Sequence, residues 1–261
     1  MEINRPIHFS IPKHIVEYVI ENNLEKCFSV YLYLKLAFSG IFHESELCFQ
    51  SLGKFLGIVD KRTIKKYIGQ LLDCGFLGYN KYSKNYFVRG FLFIHKMLKG
   101  SGKMCFIVPY ERIRDMKNYL SSGLIGFKVK GLERAENRII KKKVGSSAQY
   151  KRGALQRLTK ELGFRGYFGL SNTQIATLLN CTKSVANRIK LASKKNGYLL
   201  VNKKYKVIMT LLKPDLNVRA YLPKSNTLSF RTTKTGMIQI REQLTDEIIP
   251  MVYWTKKNIY K

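Results

Sequence analysis

The chain of 261 residues carries 47 Lys and Arg against 17 Asp and Glu, a formal net charge of +30, and 45% of its residues are hydrophobic. That apolar share supplies buried cores and excludes wholesale disorder, and the length suits two compact domains of roughly 100–150 residues each. So large a charge imbalance repels itself in a compact state unless a polyanion offsets it, which puts nucleic acid first among partners and an anionic membrane surface second.

The densest apolar stretch, Phe28 to Phe38, is interrupted by Lys35 and falls well short of the ~20 residues a spanning helix needs. The opening Met1-Glu2-Ile3-Asn4-Arg5-Pro6 does not read as a signal peptide. Cys27, Cys48, Cys74, Cys105 and Cys181 are isolated, without metal-ligand spacing or a disulfide framework, which suits a reduced, cytoplasmic setting.

In chain order, Ile15, Val19 and Ile20, then Leu24 and Phe28 to Leu36, predict two helices separated near Asn22-Asn23. Ser51 to Gly57 predicts a short helix with Leu52, Phe55 and Leu56 on one face. Asp60 stands where an N-cap belongs, its carboxylate able to accept from the open amides of the next helix. There Ile64, Ile68, Leu71 and Leu72 recur at helical spacing, and Gly75 supplies a stop. Phe76 to Tyr79, a polar turn over Asn80 to Asn85, and Tyr86-Phe87-Val88 predict a β-hairpin.

Residues 99–147 predict a basic connector, with a strand at Met104 to Val108, a helix after Pro109 and a flexible point near Gly145-Ser146. From Lys128 to Lys160 there are eleven basic residues against Glu133 and Glu136. The pattern then repeats. A basic helix spans Ala148 to Leu162, and a short helix Asn172 to Leu179. Thr182 caps a third helix, with Val185, Ile189 and Ala192 inward, which stops at Asn196-Gly197. Tyr198 to Val201 and Tyr205 to Met209 predict a second hairpin with its tip at Asn202-Lys203-Lys204. Beyond Pro214 the short apolar pieces, Ile248 to Trp254 among them, predict a tail that docks on a domain or binds a partner.

Charge follows this division. Residues 1–50 hold six acidic and four basic side chains, whereas no acid occurs between Glu161 and Asp215, a stretch with ten Lys and Arg. The second module therefore reads as one cationic surface.

A short helix, a tight turn, a capped second helix and a two-stranded hairpin, each occurring twice, resemble the winged helix-turn-helix over roughly residues 13–93 and 148–212. The resemblance implies a fold that is α+β and mostly helical. Its two winged helix-turn-helix domains, at 1–98 and 148–213, are joined by the basic helical connector, and a tail covers 214–261. In that family the second helix of the motif enters the major groove and the hairpin tip meets the backbone. On this chain those roles fall on Lys61, Arg62, Thr63, Lys65 and Lys66 with tip residues Lys81, Tyr82 and Lys84. In the second copy they fall on Lys183, Ser184, Asn187, Arg188, Lys190 and Lys194 with Lys203, Lys204 and Tyr205. Arg pairs bidentately with guanine and Asn with adenine, while Lys more often holds phosphate.

Ile11-Pro12-Lys13 ahead of the first helices, and Arg62-Thr63-Ile64 opening the recognition helix, resemble the N-terminal winged-helix domains of phage and plasmid replication initiators. That resemblance implies a bacterial host cell and a replisome or transcription partner on the tail. Because winged helices also serve as protein-interaction modules, the less basic N-terminal module is a candidate homodimer interface through its first two helices.

Enzyme chemistry finds no constellation. The four histidines are His8, His14, His43 and His95, with no His-x-His pair for a nicking enzyme's metal and no His-x-x-Arg of a tyrosine recombinase. His43-Glu44 lacks the second histidine of a zinc-protease helix, and Gly100-Ser101-Gly102-Lys103 lacks the spacing of a phosphate-binding loop. The expectation is a non-catalytic, sequence-specific double-stranded DNA-binding protein without cofactor or metal, serving as a replication initiator. A winged-helix transcription regulator and a sequence-independent DNA-coating or packaging protein are the alternatives. RNA and membrane surfaces rank below them.

Overall fold

A computed structural model describes residues 8–38, 40–101, 104–144, 168–211, 228–233, 235 and 237–256. The expected basic helix at Ala148 to Leu162 and the flexible point at Gly145-Ser146 lie outside the described residues. The fold is α+β, and the chain forms two compact units. One holds residues 1–127, 175–199 and 250–261; the other holds 128–174 and 200–249.

The first unit opens with β1 (His8–Pro12), α1 (Lys13–Glu21) and α2 (Glu25–Ala37). Asn23 takes a left-handed φ of 54° at the break between the helices, a conformation asparagine tolerates better than most residues. Then follow β2 (Ile41–His43), α3 (Phe49–Leu56), α4 (Lys61–Asp73), β3 (Leu77–Asn80) and β4 (Asn85–Val88). β4 is the middle strand of a three-stranded antiparallel sheet ordered β2-β4-β3. The core of this segment is Phe28, Tyr31, Leu34, Leu52, Ile64, Ile68, Leu71 and Phe76, all buried.

Helix α2 is buried around nearly its whole circumference, with Cys27, Phe28, Ser29, Val30, Tyr31, Leu32 and Leu34 inside. The apolar stripe of α1 (Ile15, Val16, Val19, Ile20) is buried as well. The apolar faces of the two helices expected to pair across a homodimer thus build the unit's own core.

Helix α5 (Phe91–Met97), strand β5 (Met104–Pro109), a 3-10 turn at Tyr110–Asp115 and α6 (Met116–Val144) continue the chain. β5 is the centre of a second antiparallel sheet, between β1 and a strand from the other end of the chain. Cys105, Phe106, Val108, Ile113, Leu120, Leu124 and Ile125 are all buried. The stretch from 104 to 127 is therefore core rather than connector, because its apolar residues outnumber its five charged ones (Glu111, Arg112, Arg114, Asp115 and Lys117), and the strongly basic run starts only at Lys128.

The helices α7 (Asn172–Leu178) and α8 (Lys183–Lys195) precede β6 (Leu199–Asn202) and β7 (Tyr205–Leu211). Residues 175–199 belong to the first compact unit, so the boundary expected at 148 does not mark a separate body. Ser122 Oγ donates to Ser193 Oγ at 2.7 Å in the interior. Tyr198 meets the Tyr119 ring edge-on at 5.0 Å.

The remaining strands are β8 (Leu228–Thr232), β9 (Ile238–Gln243), β10 (Glu247–Pro250) and β11 (Trp254–Lys256). β6 pairs with β10, and β7 with β9, which pairs in turn with β8. The expected hairpin of β6 with β7 does not form. A two-residue hairpin loop needs left-handed backbone at its centre, and among the described residues neither Lys203 nor Lys204 has a positive φ. The first hairpin differs, because Asn80 Oδ1 accepts from the amides of Tyr82 (2.9 Å) and Ser83 (3.4 Å) and Lys84 takes a φ of 50°. The second unit centres on buried Leu170, Val201, Ile240 and Ile248.

The tail docks at β11, which pairs with β5 through Trp254↔Phe106. Trp254 Nε1 donates to Gly123 O at 3.0 Å, and its ring lies 4.9 Å from Phe106 and 5.0 Å from Phe127. Val252 is buried too, whereas the alternating Ile249, Met251 and Tyr253 of the same segment are exposed. A side chain at Gly123 would sit 2.6 Å from the buried Phe106 ring. Gly123→Ala is expected to destabilise the protein by about 1–3 kcal/mol through overpacking, read as a lower urea midpoint; an unchanged midpoint would show that the ring has room to move.

Candidate nucleic-acid interface

Helix α4 starts where Asp60 Oδ1 accepts from the Arg62 amide at 2.9 Å, satisfying one of the open donors of its first turn. Gly75 ends it at a φ of 73°. With Ile64, Ile68 and Leu71 buried, Lys61, Arg62, Lys65 and Lys66 stand exposed on the outer side. Thr63 is half-buried, and its hydroxyl donates to Asp60 Oδ2 at 3.1 Å, so it braces the cap. Phe49, the first residue of α3, lies between two of the cations. Lys61 Nζ is 4.9 Å and Lys65 Nζ 5.9 Å from its ring centroid. That ring offers a face to both ammonium groups and lessens the cost of holding them together. α3 approaches α4 closely, for a Cβ at Gly53 would lie 3.4 Å from Ile64 Cδ1.

At the tip of the first hairpin Lys81, Tyr82, Ser83 and Lys84 are all exposed, Tyr82 completely. Its flank is acidic. Glu44 follows β2 and accepts from the Tyr79 hydroxyl at 3.0 Å, a bond that raises the Tyr79 pKa. Glu46 Oε2 accepts from the His43 amide at 2.7 Å. A phosphate meeting this tip is therefore drawn to the Lys81–Lys84 end and repelled from the Glu44–Glu46 end.

Thr182 caps α8, its Oγ1 accepting from the Val185 amide at 3.4 Å. The buried stripe of α8 is Ala186, Ile189, Lys190 and Ser193, one residue out of phase with the expected Val185, Ile189 and Ala192. Lys190 is 7% exposed and is withdrawn from the expected contact set. The polar Ser193 faces inward because the Ser122 hydroxyl meets it there. Lys183, Ser184, Arg188 and Lys194 are exposed as expected, and Asn187 is half-buried. The turn of the helix also brings out Leu191, 56% exposed, and Lys195. Leu191 was concealed in the sequence by its hydrophobicity, which favours an inward assignment. A small capping box sits ahead of α7, where Ser171 N donates to Gln174 Oε1 (2.9 Å) and Gln174 N to Ser171 Oγ (3.2 Å).

The three residues expected at a second hairpin tip instead link two sheets. Lys203 is exposed. Lys204 Nζ forms an ion pair with Glu247 Oε2 at 3.0 Å, and Asn202 Nδ2 donates to the same oxygen at 3.1 Å. These contacts hold the Glu247 carboxyl below its usual range, the Asn202 bond foremost. Tyr205 is half-buried, with the Arg241 guanidinium 4.4 Å from its ring centroid.

Among the described residues no group of three or more His, Cys, Asp or Glu could hold a metal ion, and no helix is long and apolar enough to cross a membrane. Comparison with protein-family models, with curated proteins and with solved structures finds no match.

Lys203 and Lys204 should separate in a salt titration of duplex binding. Lys203→Gln is expected to lower the slope of log affinity against log salt by about one unit. Lys204→Gln should change it less, since Glu247 already neutralises that charge. Equal changes would show that the ion pair opens on binding.

Proposed function

We propose that the chain is a non-catalytic protein that binds double-stranded DNA and reads sequence through α4 and α8. The observation that carries this reading is α4 with its surroundings. A capped helix presents Lys61, Arg62, Lys65 and Lys66 outward, with α3 packed against it and an exposed Lys81-Tyr82-Ser83-Lys84 tip after it. The element order α2-β2-α3-α4-β3-β4, with β4 central in its sheet, supports a winged helix-turn-helix for this segment. In the second module the support is confined to α7 and α8, because β6 and β7 pair with other strands.

Lys and Arg contacts supply affinity by releasing counterions, and the side chains that reach base edges supply choice. On α8 the base-reading types on the outer side are Arg188, Asn187 and Leu191, an aliphatic side chain suited to a thymine methyl group. Replication initiation is the role that the likeness of Ile11-Pro12-Lys13 and Arg62-Thr63-Ile64 to phage and plasmid initiators suggests.

Selection from a randomised duplex library at near-physiological salt, with nonspecific competitor in excess, tests the reading. Enrichment of a motif is expected. Strong binding without enrichment would favour a coating or packaging role, and absence of duplex binding would overturn the proposal. Within an enriched site, replacing the contacted thymine by uracil should weaken the wild type by about 1 kcal/mol or somewhat more, and Leu191→Ala should be indifferent to that change. An equal response from both proteins would remove Leu191 from base reading.

A further inference from the structure

The 3-10 turn Tyr110–Asp115 touches both helical pairs within the first compact unit. On one side the Arg114 guanidinium donates to Phe55 O at 2.5 Å and Lys54 O at 3.5 Å, carbonyls of the last turn of α3. The same guanidinium lies 5.5 Å from the Phe55 ring centroid, and the Tyr110 ring stacks on Phe55 at 5.2 Å. On the other side Asp115 Oδ2 accepts from Asn196 Nδ2 at 2.5 Å, and Asn196 is the C-cap of α8. Arg112 lies 5.2 Å from the Tyr198 ring, just past that cap. The turn itself has little freedom. Ile113 is fully buried, its carbonyl accepts from Ser29 Oγ of α2 at 2.9 Å, and Asp115 Oδ1 accepts from Asn118 Nδ2 at 2.7 Å.

A continuous set of contacts thus runs from α4 through α3 and the turn to the C-terminal end of α8. The turn lies between the helical pairs, with Arg114 on the last carbonyls of α3 and Asp115 on the C-cap of α8. Movement of one basic helix against the other would break charge-assisted hydrogen bonds at both ends, which are stronger than neutral ones.

We propose that this turn holds α4 and α8 at a fixed separation, so that one copy of the chain takes a two-part duplex site of fixed spacing, with Asp115 as the positioning residue. The proposal rests on the duplex-binding reading above. It gives the contacts at Asp115 a role that a merely cationic surface does not need, since charge alone is indifferent to where the second helix stands. Two helices that bind as one rigid body gain affinity only when both parts of the site meet them together, and lose that gain when the spacing forbids it.

The experiment uses the full chain and the two-part site obtained by selection, lengthened in steps of one base pair between its parts. An insertion of about 5 base pairs, half a helical turn, is expected to weaken wild-type binding by about 100-fold. Asp115→Ala and Asn196→Ala remove the same bond from opposite sides. Both should flatten the spacing profile to within about threefold while keeping the salt slope of the wild type. Thermal melting of the two variants confirms that they are folded, and Asn196→Ala serves if Asp115→Ala is not. Wild-type binding indifferent to spacing, or one copy engaging two separate duplexes, would overturn the proposal. A variant profile as sharp as the wild type's would remove Asp115 from it. Loss of duplex binding in the wild type itself would instead bring down the DNA-binding reading on which the proposal stands.

Discussion

Phe106 lies fully buried on β5, and the packing of that one side chain brings together parts of the chain that are distant in sequence. β5 is flanked by β1 and β11, from near the two ends of the described chain, and Trp254 lies tilted against Phe106 with its indole N–H on the carbonyl of Gly123. Gly123 leaves the space on α6 that the ring occupies. Burial of apolar surface is the dominant favourable term in folding, and here it joins both strands to the start of α6. The opening turns of α6 present Tyr119 and Ser122 to Tyr198 and Ser193. The second helical pair therefore belongs to the same compact unit as the first, although about a hundred residues intervene.

Where local chemistry decides the backbone, the sequence was legible. The Asp60 cap, the spacing of Ile64, Ile68 and Leu71 and the Gly75 stop all lie within α4, and the structure has α4 at those bounds. The first hairpin likewise depends on Asn80, four residues from Lys84. The second hairpin failed because it asked two lysines to turn the chain while strands far along the sequence offered better pairing. β6 found β10 and β7 found β9, partners that no local pattern announces.

The phase of α8 shows a finer limit. Hydrophobicity placed Val185, Ile189 and Ala192 inward, but the observed stripe contains Lys190 and Ser193. A buried polar group is acceptable only where a partner meets it, and the partner of Ser193 is Ser122, 71 residues away in the chain. The same rotation turns Leu191 outward. A periodicity argument weighs residues by apolarity alone, so it missed both the serine that belongs inside and the leucine that does not. α4 carries no such inward polar residue, and its phase was read correctly.

Net charge overstates the cationic surface available to a polyanion. Lys190 is buried, Lys204 is paired with Glu247, and the hairpin tip at Lys81–Lys84 is bordered by Glu44 and Glu46. The outer sides of α4 and α8 each carry four exposed cations, and α6 exposes Lys117, Lys128, Arg134 and Arg138 besides. Affinity from counterion release scales with the number of phosphates neutralised, whereas choice of site requires that side chains be held in position against the bases. Those two demands pull apart: long flexible lysines serve the first at little structural cost, and only a fixed helix serves the second. Phe49 beneath Lys61 and Lys65, and Asp115 beside the end of α8, fix position without adding positive charge. A surface evolved for charge alone would have no need of either contact.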